Sequence, residues 1–152
     1  MGLDMTLSKK TYVKNWDHMN PEELHQVEVR KNGKAVKHIK SERIKYVEEE
    51  VIKWRKANAI HDWFVQCVQG GTDLCQSSYV PIEALKTLLK LVKEVLADKN
   101  LAEELLPPMA GFFFGNTEID DYYFQDLEYT KAELTKLLKE DCDCEYYYQS
   151  SW

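Results

Sequence analysis

The sequence predicts an α+β fold, in which a small antiparallel sheet packs against about three helices. Three observations support this class. The N-terminal third alternates apolar and polar residues as strands do, the pair Asn32-Gly33 marks a hairpin turn, and the residues after position 41 change to helical spacing. A chain of 152 residues has the size of one domain, residues 1–152.

The strands are predicted mainly in the N-terminal third. Apolar residues alternate over residues 3–7, and residues 12–16 continue as an extended aromatic stretch. Residues 20–23 have the cap, the proline and the acidic residues of a single helical turn. Residues 27–39 are expected to form a hairpin around Asn32-Gly33, because both turn residues tolerate the positive φ of a type I′ turn.

Three helices are predicted to follow the hairpin. The first spans residues 41–68 and ends before the helix breaker Gly70-Gly71. The second covers residues 81–97 and carries leucines and valines on one side. The third begins at Thr117, with Asp120 completing a capping-box pattern.

The first predicted helix has an apolar stripe with two polar residues at its centre. The spacing of the stripe alternates between three and four residues. Its members are Ile44, Val47, Val51, Trp54, Asn58, His61, Val65 and Val68. Burying Asn58 and His61 without partners would cost on the order of 1–3 kcal/mol each, so other groups must satisfy them.

Three interpretations of Asn58 and His61 remain open at this point. In the first, both side chains bond to tyrosines and loop carbonyls in the core and specify its packing. In the second, they line a small-molecule pocket that the aromatic residues 112–114 cover. In the third, His61 is a catalytic residue. The predicted pocket would be lined by Trp54, Arg55, Asn58, His61, Trp63 and Phe113.

The chain carries no motif for a cofactor, a metal ion or nucleophilic catalysis. It has no Gly-rich phosphate loop, no nucleophile elbow and no His-Glu-x-x-His. The four cysteines, in a sequence without a secretion signal, are expected to be reduced thiols. Cys142 and Cys144 lack the Cys-x-x-Cys spacing of zinc sites, so we expect packed or exposed thiols there. We therefore expect no cofactor and no metal, and an enzyme is the less favoured alternative.

The charge of the chain is acidic overall but unevenly distributed. A net charge of −6 argues against a binder of double-stranded nucleic acid, and no apolar run is long enough to span a membrane. Residues 1–60 hold 13 basic and 9 acidic side chains, whereas residues 61–152 hold 7 and 17. The basic excess lies around the hairpin, and the acidic excess lies in the third predicted helix and in residues 140–145. Either surface is a candidate for docking an oppositely charged ligand or partner.

The 18 aromatic residues suggest self-association, because exposed aromatic clusters usually mark an interface. We expect a homodimer or small homo-oligomer. Residues 146–152 are predicted either to contribute to that contact or to close the sheet as a last strand.

Four sequence blocks resemble an uncharacterised family of small phage and prophage proteins. The blocks are MGLDM at residues 1–5, WRKANAIHDWF at residues 54–64, GFFFG at residues 111–115 and YYQSSW at residues 147–152. The resemblance implies the cytoplasm of a bacterial host and an action on that host. It implies no chemistry, but it favours binding over catalysis.

The favoured hypothesis is a non-enzymatic phage protein that sequesters a nucleotide-like ligand and so counters a host defence. The indole rings would stack on a flat ring, Asn58 would bind its edge, and Arg55 would meet its negative charge. The first alternative is an inhibitor that binds a host enzyme through an acidic and aromatic surface. The second is a small hydrolase that uses His61 with a carboxylate.

Overall fold

The structure, a computed structural model, describes residues 2–152 and contains a four-stranded antiparallel sheet with helices on one face. The strands are β1 (Asp4–Tyr12), β2 (Arg30–Lys31), β3 (Lys34–Ala35), β4 (Tyr46–Arg55), β5 (Ser78–Val80) and β6 (Cys144–Ser151). The helices are α1 (Asn58–Cys67), α2 (Ile82–Ala97), α3 (Ala102–Leu105) and α4 (Asp121–Leu137), with 3-10 turns at Pro21–Glu23, Ser41–Arg43 and Lys99–Leu101. The predicted α+β class is confirmed.

The main sheet has the strand order β4-β1-β6-β5. β1 lies at its centre and pairs antiparallel with both β4 and β6. Met5 and Leu7 point from β1 into the core, where both are fully buried, as the alternation over residues 3–7 predicts. The predicted C-terminal strand is present as β6, so the last aromatic segment closes the sheet.

The Asn-Gly hairpin is confirmed, although its strands are short. Asn32 and Gly33 have φ values of 51° and 76°, as a type I′ turn requires. β2 and β3 are each two residues long and pair only with one another. The hairpin therefore lies outside the main sheet, in an excursion of the chain between β1 and β4.

The prediction of one helix over residues 41–68 is wrong in its first half, because residues 46–55 form β4. The register between β1 and β4 shifts at Leu7/Ser8, where β4 contributes an extra residue as a β-bulge. The bulge places Val47 and Trp54, seven residues apart, on the same face of the strand. A bulged strand thus imitates the seven-residue repeat of a helix, and pairing with β1 determines the outcome.

The third predicted helix begins four residues later than expected, and Asp120 has a different role. α4 starts at Asp121, and Asp120 is its N-cap residue rather than part of its first turn. The Asp120 carboxylate accepts a hydrogen bond of 3.0 Å from the backbone N–H of Tyr123. Asp120 therefore fixes the start of α4 by direct capping.

Two aromatic contacts join the helices to the sheet. The indole N–H of Trp54 on β4 donates a buried hydrogen bond of 2.8 Å to the hydroxyl of Thr130 on α4. The ring of Phe64 on α1 stacks on that of Tyr148 on β6, with centroids 4.0 Å apart. The first contact gives the indole N–H of Trp54 an acceptor, and the second packs the rings of Phe64 and Tyr148 together in the core.

The expectation of reduced thiols is incorrect for Cys142 and Cys144, which form a disulfide at the start of β6. Cys67 and Cys75 are free. Within residues 2–152, no helix has both the length and the apolar character needed to cross a bilayer.

We predict that Thr130→Val lowers the free energy of unfolding by roughly 1–3 kcal/mol, because the buried Trp54 N–H loses its acceptor. Chemical denaturation of the single variant measures this loss. In the double variant Thr130→Val/Trp54→Phe both polar partners are absent, so the two losses should be less than additive. Strict additivity would contradict the assigned hydrogen bond.

Candidate functional site

His61 lies at the centre of a buried hydrogen-bond network. Its side chain has no exposed surface, and it contacts Tyr148 through Nδ1 at 2.7 Å and Asp73 through Nε2 at 2.9 Å. The Asp73 carboxylate only accepts, so Nε2 donates to it. Burial raises the pKa of Tyr148 well above its ordinary value, with Asp73 and Cys75 contributing, so its hydroxyl stays protonated and donates to Nδ1.

Asp73 accepts hydrogen bonds from donors in three parts of the chain. Besides His61, its carboxylate accepts from the indole N–H of Trp152 at 2.8 Å and from the Ser150 hydroxyl at 3.3 Å. The backbone N–H of Cys75 also donates to it, at 3.4 Å. This carboxylate therefore ties α1, the loop before β5 and the end of β6 together.

The geometric condition for acid–base chemistry at His61 is met, because Asp73 and Tyr148 are both within hydrogen-bonding distance. Both imidazole nitrogens are nevertheless engaged, and no atom of the ring reaches the surface. A substrate has no contact with His61 in this conformation. Its role here is to join α1 to β6 and to the loop before β5.

Asn58 is also satisfied internally, by the α3–α4 loop (residues 106–120). Its side-chain N–H groups donate to the backbone carbonyls of Phe114 and Asn116, each at 2.9 Å. Its carbonyl oxygen accepts from the backbone N–H of Met109 at 3.1 Å. Asn58 thus bonds to loop carbonyls, and His61 bonds to a tyrosine. Both sets of bonds are of the kind that the core-packing interpretation predicts.

A cleft of about 250 Å³ opens beside Asn58, between the start of α1, the α3–α4 loop and α4. Arg55 and Asn58 are the two predicted site residues that line it. Its other lining residues are Lys56, Ala57, Ala59, Ile60, Gly115, Asn116, Glu118, Asp120, Tyr122, Tyr123, Asp126 and Leu127.

The other four predicted site residues lie away from the cleft. Trp54 is bound to α4 through Thr130, and His61 is enclosed in the network of Asp73. Trp63 is buried and packs edge-on against Phe64. Phe113 is half-buried, and its carbonyl accepts from the backbone N–H of Leu3. The structure therefore separates the six predicted residues into two that line the cleft and four that support the fold around it.

Lys56 is held at the mouth of the cleft in a strained backbone conformation. Its φ is +58°, a value that residues other than glycine adopt rarely and that often marks a functional position. Its backbone N–H donates to the carbonyl of Leu3 at 2.7 Å. A Cβ at Gly2 would lie 3.3 Å from Lys56 Cε, and one at Gly115 would lie 3.6 Å from Lys56 Cβ. Gly2 thus leaves room for the end of the Lys56 side chain, whereas the distance at Gly115 is an ordinary van der Waals contact.

The cleft also contains the N-terminus of α1, which lacks a side-chain cap. Its N-cap residue is Ala57, whose methyl group cannot accept a hydrogen bond. The N–H of Asn58 donates to the Lys56 carbonyl, whereas those of Ala59 and Ile60 have no acceptor among residues 2–152. Uncapped N–H groups and the helix dipole together attract anions.

The wall formed by α4 is acidic. Burial, together with the smaller effect of the nearby Asp120 charge, raises the pKa of Asp126 from 3.8 to about 6. No cation lies within ion-pair distance of the Asp126 carboxylate among residues 2–152. The cleft therefore has a cationic wall at Arg55, Lys56 and the start of α1, and an acidic wall at Asp120 and Asp126.

Sequence analysis missed most of the acidic wall and also Lys56. The signal for Asp126 was its position next to the buried positions Tyr123, Leu127 and Thr130 of α4, where a carboxylate is out of place. No sequence signal marks the positive φ of Lys56, because that conformation results from the connection between β4 and α1.

Comparisons with known proteins give no relative: no family model matches the chain, and no curated protein or solved structure is significantly similar to it.

We predict that His61→Ala lowers the free energy of unfolding by roughly 2–4 kcal/mol, because it leaves a cavity and removes the partners of Tyr148 and Asp73. Thermal and urea unfolding measure the effect. Gln66→Ala, at an exposed position of the same helix, is the matched control and should change stability by less than about 0.5 kcal/mol. Equal stability of the two variants would contradict the structural role of His61.

We predict that Asp126→Asn stabilises the fold at neutral pH. The raised pKa of Asp126 means that the fold disfavours its ionised form, so the wild type loses stability as pH rises from about 4 through about 6. The variant lacks this loss and should exceed the wild type by about 1–2 kcal/mol at pH 8, a value reduced by solvent at the open cleft. At pH 4 the two proteins should unfold alike. A constant difference across this range would show that Asp126 does not titrate abnormally.

Proposed function

We propose that this chain is a non-enzymatic binding protein that takes a nucleotide-like ligand in the cleft between α1 and α4. The observation that carries the proposal is the pairing of a cationic wall, built on an uncapped helix N-terminus, with an acidic and aromatic wall in one small cleft. A ligand that consists of an anionic group alone would contact only the cationic wall.

The cationic wall suits a phosphate group. The N–H groups of Ala59 and Ile60 provide donors at the positive end of α1, and Arg55 provides a planar guanidinium for charge-assisted hydrogen bonds. Lys56 adds a second positive charge from a position that the fold maintains at the cost of backbone strain. Such strain is commonly found where a side chain must face a ligand.

The opposite wall suits the base of a nucleotide. Asp126, with a pKa of about 6, is mainly ionised at neutral pH and can accept hydrogen bonds from exocyclic amino groups. Tyr122, 73% exposed, offers a ring for stacking at the entrance. A cleft of about 250 Å³ is slightly smaller than typical drug-sized pockets, which favours a mononucleotide over a dinucleotide.

Binding is favoured over catalysis because His61 is fully buried and does not line the cleft. As part of the proposal, the resemblance to phage proteins supplies a biological setting. A small phage protein that withdraws a nucleotide from the host would act stoichiometrically, so a stable complex serves it better than turnover.

The proposal is tested by calorimetric titration with the four nucleoside 5′-monophosphates, their uncharged nucleosides and inorganic phosphate. We expect at least one monophosphate to bind, and its nucleoside to bind at least about tenfold more weakly, because the phosphate contacts are lost. Recovery of the nucleotide unchanged after long incubation is expected of a binding protein. Conversion to a product would overturn the non-enzymatic assignment.

Lys56→Asn is the diagnostic variant, since asparagine tolerates the positive φ of this position but removes the charge. We expect it to weaken monophosphate binding by about tenfold or more while leaving the fold intact. Lys53→Asn, at an exposed position of the preceding strand β4, is the matched control and should bind as the wild type does. Absence of binding by the wild type, or equal affinities of the two variants, would refute a ligand site in this cleft.

A further inference from the structure

We propose that two copies of this chain associate antiparallel, with the basic arm of each copy on the acidic face of α4 of the other. The basic arm is residues 29–45, which contain the β2–β3 hairpin. The acidic face of α4 is formed by the exposed side chains Asp121, Tyr122, Gln125, Glu128 and Tyr129. The proposal does not rest on the ligand proposed for the cleft, and Tyr122 is the one residue that the two surfaces share.

The basic arm carries a dense positive charge that the rest of its own chain does not neutralise. Its basic residues are Arg30, Lys31, Lys34, Lys37, Lys40, Arg43 and Lys45, against the single acidic residue Glu42. Within residues 2–152, only Arg30 of this set forms an ion pair, with Glu28 at 3.2 Å. The other six cations are exposed, lie near one another and repel, so an acidic partner surface stabilises them.

The arm also lacks a core of its own. None of residues 14–45 is buried, and Val29 and Ile39 are each 38% exposed. Because β2 and β3 are two residues long and pair only with each other, little except the turn holds the hairpin. A segment with cations and exposed aliphatic groups, but no core, gains order when it docks on another surface.

The acidic face of α4 complements the arm in both charge and composition. Asp121 and Glu128 form no ion pair among residues 2–152, and no basic residue occurs in α4 before Lys131. Tyr122 and Tyr129 are 73% and 41% exposed. Tyrosine rings beside carboxylates provide both stacking surfaces and charge for arginine and lysine side chains, as in typical protein interfaces.

The arm and the acidic face lie at opposite ends of the sheet, which favours a second copy over contact within one chain. The arm ends at Lys45, directly before β4, whose first residue Tyr46 pairs with Tyr12 at the end of β1. The start of α4 borders the same cleft as Arg55, which pairs with Asp4 at the other end of β1. Eight residue steps along a strand separate these ends by about 26 Å.

An antiparallel pair with two-fold symmetry brings each arm to the acidic face of the partner, so that both contacts form at once. Each contact pairs a basic arm with an acidic face of α4, and the acidic residues outside the two contacts stay exposed to solvent. Since the association depends on exposed charges, raising the salt concentration should weaken it.

Analytical ultracentrifugation of the full chain at low and at high ionic strength tests the proposal, together with two charge-reversed variants. The arm variant is Lys31→Glu/Lys34→Glu/Lys37→Glu/Lys40→Glu, which changes residues 29–45 from seven basic and one acidic side chain to three basic and five acidic. The α4 variant is Gln125→Lys/Glu128→Lys; all six positions are exposed, and melting curves check that both variants fold. Each variant alone should dissociate at least about tenfold more readily than the wild type, because like charges now face one another. Their equimolar mixture should form a heterodimer, since each reversed surface meets one of opposite sign.

The matched control is Lys86→Glu/Lys90→Glu/Lys93→Glu/Lys99→Glu, which makes the same charge change as the arm variant at exposed positions of α2 and of the turn after it, and it should associate as the wild type does. A wild-type monomer at low ionic strength, or a mixture of the two reversed variants that stays monomeric, would overturn the proposal. A monomer that instead binds a single-stranded oligonucleotide through the arm would overturn it in favour of a nucleic-acid surface. Such results would leave the nucleotide titrations of the cleft unaffected.

Discussion

The hydrogen bond between the buried His61 and the partly buried Asp73 is the interaction on which the arrangement of the fold depends. A fully enclosed imidazole requires partners for both nitrogens, and Asp73 and Tyr148 provide them from the loop before β5 and from β6. Because Asp73 also accepts from Trp152, the same carboxylate fixes the position where β6 ends. α1 is thereby fixed against the sheet, and its N-terminus is aimed into the cleft.

Asn58 performs the corresponding task on the other side of α1. Its amide is saturated by the α3–α4 loop, which carries Gly115 and Asn116 to the cleft wall. Polar groups that the core satisfies completely specify one arrangement, since any other would leave them unpaired. The rigid parts of the site are therefore buried and polar, and its charged parts project from them into solvent.

Local sequence signals predicted the hairpin, the second helix and the closing strand, because Asn-Gly, proline and alternating aromatics act within a few residues. They failed at β4, where a bulge in the pairing with β1 imitated helical spacing between Val47 and Trp54. The residues that line the cleft were predicted only in part, because tertiary packing brings some of them together. Arg55 and Asn58 stand in a conspicuous block, whereas Asp126 becomes unusual only when α4 packs beside α1.

The order of the strands has a kinetic consequence. β6 is the last strand in the sequence and lies between β1 and β5. β5 therefore has no neighbour in the sheet until β6 pairs with it. The longest separation in sequence must thus be closed before the sheet is complete, which makes folding slow and strongly cooperative. During synthesis, one hydrogen-bonding edge of β1 stays unpaired until that closure, and this interval is when the chain is most exposed to aggregation.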